Sequence, residues 1–179
     1  MPSPRELDLY PEVGAWLRLF LSDRFRRASI EVHDTHASPL NYYIGRNGLQ
    51  GLFSSPIWHT YDIRVDLTAF VTAGDSTQLV FVECKVRAIS LSDFSQLLGY
   101  SRVAQPLVSM LLSPAGVGNC LLNLIETYGR SDILEYHWQK GKQARRILLA
   151  RWDEGVKAID PNAVIPRAAL SEIRAPRAN

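Results

Sequence analysis

Residues 79–90 read LVFVECKVRAIS. Leu79, Val80, Phe81, Val82 and Val86 mark a β-strand, yet Glu83 and Lys85 sit inside the apolar run. Side chains alternate along a strand, so Glu83 and Lys85 share one face and Cys84 takes the other. Packing alone would not select a charged pair at such positions. The two charges either neutralise each other at a sheet edge or face a site.

The preceding segment supplies a partner. YDIRVDLTAFV (61–71) alternates, with Ile63, Val65 and Leu67 on one face and Asp62, Arg64, Asp66 and Thr68 on the other. TAGDST (72–77) is a hairpin turn. The hairpin sets Asp66 beside Glu83 on one sheet face. Two close carboxylates repel, and burial makes this worse. A divalent cation resolves the conflict, and oxygen ligands suit Mg²⁺ or Mn²⁺. A lysine beside such an ion positions a water, helps deprotonate it, or offsets charge developing on a phosphate. These parts fit metal-assisted phosphodiester hydrolysis.

Outward from this hairpin the chain alternates helices and strands. In residues 10–27, Val13, Trp16, Leu17, Phe20 and Leu21 form an apolar helical stripe. Pro11 and Glu12 suit its first turn, and Arg24, Arg26 and Arg27 its end. ASIEV (28–32) is a short strand. The stretch 33–61 reads as a long connection with a turn of helix near Leu49–Phe53, and a connection of that length is often functional. Ser90 or Ser92 caps a helix that ends before Pro106, with Asp93 in its first turn. PLVSMLLS is a buried strand, NCLLNLIETYG an amphipathic helix ending at Gly129, and DILEYHW and ARRILLARW two further strands joined across QKGKQ. The pattern predicts an α/β fold, a central mixed sheet flanked by helices.

Totals narrow the function classes. A chain of 179 residues, 46% hydrophobic with four tryptophans, fills one core, expected over residues 1–165 with a short basic tail at 166–179. A formal charge of +2 names no nucleic-acid partner by itself. Two cysteines, Cys84 and Cys120, exclude a disulfide framework and a four-cysteine metal site, and read as two buried thiols in a reducing compartment. No segment is apolar enough to span a membrane, and the polar N-terminus does not read as a signal peptide, so a cytoplasmic protein is expected. His33, His36, His59 and His137 lack zinc-ligand spacing, and neither a G-x-S-x-G elbow nor a P-loop is present.

Asp66, sixteen intervening residues and Glu83-Cys84-Lys85 resemble the D…(D/E)xK signature of the PD-(D/E)XK nuclease superfamily. In the next helix, Gln96 and Tyr100 resemble the QxxxY motif of its RecB-type branch; at i and i+4 they share a face. Glu12 resembles the helical glutamate of the archaeal Holliday-junction-resolvase and Mrr-like branches. The resemblance covers roughly residues 5–112, and Val65 stands where the family name has a proline. Two cysteines rule out the iron–sulfur subgroup.

The resemblance implies a restriction-endonuclease-like core of order α-β-β-β-α-β. It implies Asp66, Glu83 and the Cys84 carbonyl as metal ligands, Lys85 orienting the attacking water, and Glu12 as an additional ligand. Gln96 and Tyr100 would contact the substrate strand or brace the site. Among the basic residues, Arg87 and Arg102 flank the proposed site in sequence and are the expected phosphate contacts; Arg46, Lys140, Lys142, Arg145 and Arg146 are further cations for a duplex. The expected activity is a Mg²⁺- or Mn²⁺-dependent deoxyribonuclease directed by DNA structure or ends, in repair, recombination or defence, with a homodimer suited to cutting two strands. The alternatives are a Holliday-junction resolvase, a ribonuclease, and a non-catalytic nucleic-acid-binding module. A retired site has no physical reason to retain an unfavourable charge cluster, which argues against the last.

Overall fold

The computed structural model describes residues 5–137, 144–167 and 169–173. The whole QKGKQ connection, with Lys140 and Lys142, and the end of the basic tail lie outside them. Helix α1 (Glu6–Arg24) leads into β1 (Ser29–Asp34), α2 (Leu40–Arg46) and two 3₁₀ turns at Leu49–Leu52 and Pro56–Thr60. Strands β2 (Leu67–Ala73) and β3 (Ser76–Cys84) form the hairpin, followed by α3 (Leu91–Ala104) and β4 (Val108–Ser113). The chain continues through α4 (Asn119–Leu122), β5 (Glu135–His137), β6 (Arg145–Asp153), β7 (Ala158–Ile165) and α5 (Ala169–Glu172).

All seven strands join one mixed sheet in the order β1-β2-β3-β4-β6-β5, with β7 also paired to β6. Strands β1, β2 and β3 are antiparallel neighbours; β3, β4 and β6 run parallel. The period-2 pattern explains the two cores. Val80, Val82 and Cys84, with Met110, Leu112, Leu148 and Ala150, face α1 and α5. Leu79, Phe81, Leu111, Ile147 and Leu149 face α2, α3 and the segment around Leu121 to Tyr136. Full burial of each such side chain is worth roughly 1.5–3 kcal/mol, so both layers are strongly specified.

The α1 stripe behaves as its spacing predicts: Val13, Leu17 and Leu21 are buried, and Trp16 and Phe20 pack against that core. The helix starts earlier than expected, however. Glu6 opens it and the Asp8 carboxylate accepts from the Arg5 N–H (2.9 Å), so Pro11 lies inside the helix. The long connection also differs, since α2 forms where the sequence predicted coil. Leu40 and Ile44 are fully buried there, and burial outweighs the poor helix propensity of two tyrosines and a glycine.

Two further expectations change. Residues 61–66 do not extend the β2 strand. The carbonyls of Tyr61 and Ile63 accept from Asn41 and Leu40 at the start of α2. Ile63 and Val65 therefore join the α2–α3 core, whereas Leu67 faces α1. NCLLNLIETYG, expected as one α-helix, makes a single α-turn and then a π-turn over Asn123–Thr127, with Gly129 closing it at φ 66°. Cys84 is buried as expected, but Cys120 is exposed. Strand β7, which the sequence patterning did not assign, completes the edge beside β6. No helix among the described residues is long and apolar enough to cross a membrane.

The loop after β3 is pinned to the loop after β4. Lys85 N–H donates to Leu112 O (2.8 Å), Ile89 N–H to Gly116 O (2.9 Å), and Gly118 N–H to Ile89 O (2.9 Å). A Cβ on Gly118 would stand 2.9 Å from that same Ile89 carbonyl oxygen, so only glycine allows the approach. Gly118→Ala is expected to cost about 1–3 kcal/mol, as crowding in packed regions does. A urea denaturation midpoint equal to wild type would show that the loop yields instead.

Candidate active site

The site forms where β2 begins and β3 ends. Pairing of Leu67 with Val82 sets the antiparallel register, and one step further Asp66 stands opposite Glu83. This is also the edge at which the parallel strands β3 and β4 end, where open α/β sheets commonly bind ligands. Asp66 is 8% exposed and Glu83 6%. Both are thus charged groups in places that normally exclude charge.

Asp66 is held on three sides. Its Oδ1 accepts from the Tyr10 hydroxyl at 2.6 Å, and its Oδ2 from the Cys84 N–H at 2.8 Å. Its own carbonyl accepts from Thr35 N–H at 2.9 Å. Thr35, 1% exposed, also donates its hydroxyl to Val65 O (2.6 Å) and lies 2.9 Å from the Thr68 hydroxyl. These bonds explain why the chain leaves the strand conformation just before Asp66 yet stays ordered. Even so, burial raises the Asp66 carboxyl above the ordinary range against the pull of Tyr10, Cys84 and Lys85.

Glu83 is the more strained carboxylate electrostatically. Burial, with the Asp66 charge adding to it, pushes it from 4.5 up to about 7 despite Lys85. Its Oε1 accepts from Lys85 Nζ at 3.1 Å. Its Oε2 is buried without a hydrogen-bond partner among the described residues. Lys85 also donates to Glu6 Oε2 at 3.4 Å. Burial works to lower Lys85, but Glu83, Asp66 and Glu6 outweigh it and hold the ammonium charged. A lysine so held donates hydrogen bonds and offsets negative charge; it does not accept a proton.

The helical glutamate at this site is Glu6. Glu12, expected to supply it, forms an ion pair with Lys157 at 2.7 Å instead. The reason is helical phase: the buried stripe Tyr10, Val13, Leu17, Leu21 extends back to position 6 on the same face, and position 12 falls off it. That signal was present in the sequence and required only an earlier helix start.

Gln96 and Tyr100 share the outer face of α3, where Gln96 Nε2 donates to the Tyr100 hydroxyl at 3.2 Å. Asp93 serves the Ser90 capping box, as its position suggested, and also takes both ends of the Arg87 guanidinium at 2.7 and 2.8 Å. Burial alone would raise the Asp93 carboxyl, but Arg87 and Ser90 hold it at about 2. Arg87 is therefore committed to bracing the loop after β3. Arg102 lies exposed in the last turn of α3 and makes no ion pair among the described residues. Asp62 and Arg64 are exposed.

The donor set fits a small hard cation. The two carboxylates offer oxygen donors, and Glu83 Oε2 is a carboxylate oxygen short of a partner among the described residues. Among the described residues no group of three or more His, Cys, Asp or Glu side chains is arranged to hold a metal. Mg²⁺ does not need one, since it usually keeps several waters and takes one or two carboxylates plus substrate phosphates. Compared with known proteins, the chain matches no family model, and no curated protein matches it.

The raised Glu83 value has a consequence for stability. Its stabilising contribution is full below 4.5 and is lost as pH rises through about 7, because the folded state then carries a buried charge that the unfolded state solvates freely. Between pH 5 and pH 8, metal-free wild type is expected to lose about 2 kcal/mol relative to Glu83→Gln. Denaturant titrations across that range measure it, and parallel curves for the two proteins would refute the assignment. Tyr10→Phe, which strips Asp66 Oδ1 of its donor, is expected to lose about 1.5–3 kcal/mol at pH 8, the usual worth of a hydrogen bond to a charged group.

Proposed function

We propose that the protein is a metal-dependent deoxyribonuclease that hydrolyses phosphodiester bonds with an activated water. The observation that carries this reading is the buried pair Asp66 and Glu83 at facing strand ends, with Lys85 bonded to Glu83 and one Glu83 oxygen unpartnered among the described residues. A fold retains such a cluster against its electrostatic cost where the cluster has work to do. The order α1, β1, β2–β3 hairpin, α3, β4, with α2 and two 3₁₀ turns inserted after β1, supports a restriction-endonuclease-like core.

Asp66, Glu83 and the Cys84 carbonyl would hold Mg²⁺ or Mn²⁺. Once bound, the ion would lower the pKa of a water and neutralise charge on the phosphoryl oxygens. The chain's own residues do the rest. Tyr10, Thr35 and the Cys84 N–H fix Asp66, so that its carboxylate does not retreat from a neighbouring negative charge. Lys85, held charged by Glu83 and Glu6, donates a hydrogen bond to the attacking water or to the phosphoryl oxygen that gains charge. Glu6 sets the lysine's direction. Gln96 and Tyr100, bonded to each other on the exposed face of α3, offer an amide and a phenol to the substrate strand. Arg102 is the available phosphate contact, whereas Arg87 supports the site from behind through Asp93.

The test is cleavage of a labelled panel of linear duplex, single strand, flap, four-way junction and circle, with Mg²⁺ or Mn²⁺, beside Glu83→Ala, Lys85→Ala and Asp66→Asn. Metal-dependent cutting by wild type is expected, falling at least about 10²-fold in each variant, as loss of a transition-state electrostatic group does. The preferred substrate separates an end- or structure-directed nuclease from a junction resolvase. Binding without cleavage by folded wild type would instead mark a nucleic-acid-binding module.

A further inference from the structure

Beside the carboxylates lies a histidine–aspartate pair to which no role has yet been given. Asp34 closes β1, and His36 follows two residues later. Asp34 Oδ1 accepts from the His36 backbone N–H at 3.2 Å and from the ring Nδ1. A carboxylate only accepts, so Nδ1 carries the proton and Nε2 faces away from Asp34. The ring is fixed on its other side by Tyr10, whose ring centre lies 5.4 Å away at an interplanar angle of 53°. Tyr10 is the residue that binds Asp66. Between the two lies Thr35, buried and bonded to the backbone of Val65 and Asp66. The turn carrying His36 is thus fastened to the segment that carries Asp66.

The surroundings leave space on this side. A cleft of about 420 Å³ between α1 and β1 is lined by Tyr10, Arg18, His33, Asp34 and Leu67. Of its lining, Tyr10 is bonded to Asp66 and Leu67 follows Asp66 in the chain, while Asp66 and His36 themselves do not line it. Lys85 lies just past the end of β3 and is bonded to Glu6, one turn before Tyr10 on α1. The Asp34–His36 pair is joined to Asp66 through Tyr10 and Thr35, whereas Lys85 is joined to Glu83 directly.

We infer that His36, oriented by Asp34, is the general acid that protonates the leaving oxygen of the phosphodiester. This rests on the nuclease reading above. In the step, a water oxygen forms the new P–O bond and gives up its proton to solvent. The P–O bond to the leaving oxygen breaks, and that oxygen takes the electron pair together with the proton from His36 Nε2. His36 is left neutral and regains a proton from solvent. Histidine is the side chain whose ordinary ring exchanges protons near neutral pH, and an aspartate on Nδ1 is the usual device for setting its orientation.

The test compares wild type, His36→Ala, His36→Gln and Glu83→Ala on two DNA substrates. One is all-oxygen; the other carries sulfur in place of the leaving oxygen, whose position is identified from the product ends. A thiolate leaves without protonation. On the oxygen substrate, His36→Ala and His36→Gln are expected to cut 10²–10⁴-fold more slowly, the usual worth of general acid catalysis. On the sulfur substrate both are expected to come within a few-fold of wild type, while Glu83→Ala stays inactive on both. A merely structural His36 would slow both substrates equally, and that result overturns the inference. So does wild-type cutting of the oxygen substrate by His36→Ala while Glu83→Ala is dead, an outcome that leaves the nuclease reading standing. Wild type that cuts neither substrate overturns both.

Discussion

Two carboxylates are buried side by side where β2 begins and β3 ends, and much of the surrounding structure exists to keep them there. Water would solvate each of them better than this pocket does. Left alone, the pair would separate or take up protons, and the raised values of Asp66 and Glu83 record that tendency. What holds them is a set of contacts from distant parts of the chain. Tyr10 reaches across from α1, the Cys84 amide from the neighbouring strand, Thr35 from the end of β1, and Lys85 from beyond the end of β3. The remaining deficit is on Glu83 Oε2, which has no hydrogen-bond partner among the described residues.

The fold supplies the stiffness this needs. Below the site the sheet is packed on both faces, and the strands that carry Asp66 and Glu83 are central, between β1 and β4. Above the site the chain is tied loop to loop. Ser113 donates its hydroxyl to Arg87 O at 2.8 Å, and the Arg87–Asp93 pair fastens the loop to the start of α3. The close approach at Gly118 completes the tie. Arg87 shows how a residue beside a site in sequence serves it indirectly, through the loop that positions Lys85.

Much of this was legible locally. The β2–β3 hairpin and the opposition of Asp66 and Glu83 follow from alternation and a turn signal, because strand register is a two-residue rule that the chain expresses within twenty residues. A cap at Ser90 or Ser92, which the structure resolves to Ser90, and the shared face of Gln96 and Tyr100 follow from helical spacing in the same way. The false extension of β2 back to Tyr61 shows the limit of such rules. Ile63 and Val65 have the right alternation, but α2 takes their backbone hydrogen bonds, and α2 itself was hidden by weak local propensity.

What the sequence by itself determined is therefore the pair of strands, the three charged residues at their ends, and an α/β architecture around them. Periodicity and turn chemistry act over short stretches of chain, so they can be read from it directly. Only the tertiary structure decided which residues complete the site. Tyr10 meets Asp66 across 56 positions, and Glu6 meets Lys85 across 79. The choice of Glu6 over Glu12 turns on where α1 begins and which face it buries, and the placing of His36 on how Thr35 anchors its turn. Such pairings depend on the packing of a whole helix or turn against the sheet, and no short window of sequence contains both partners.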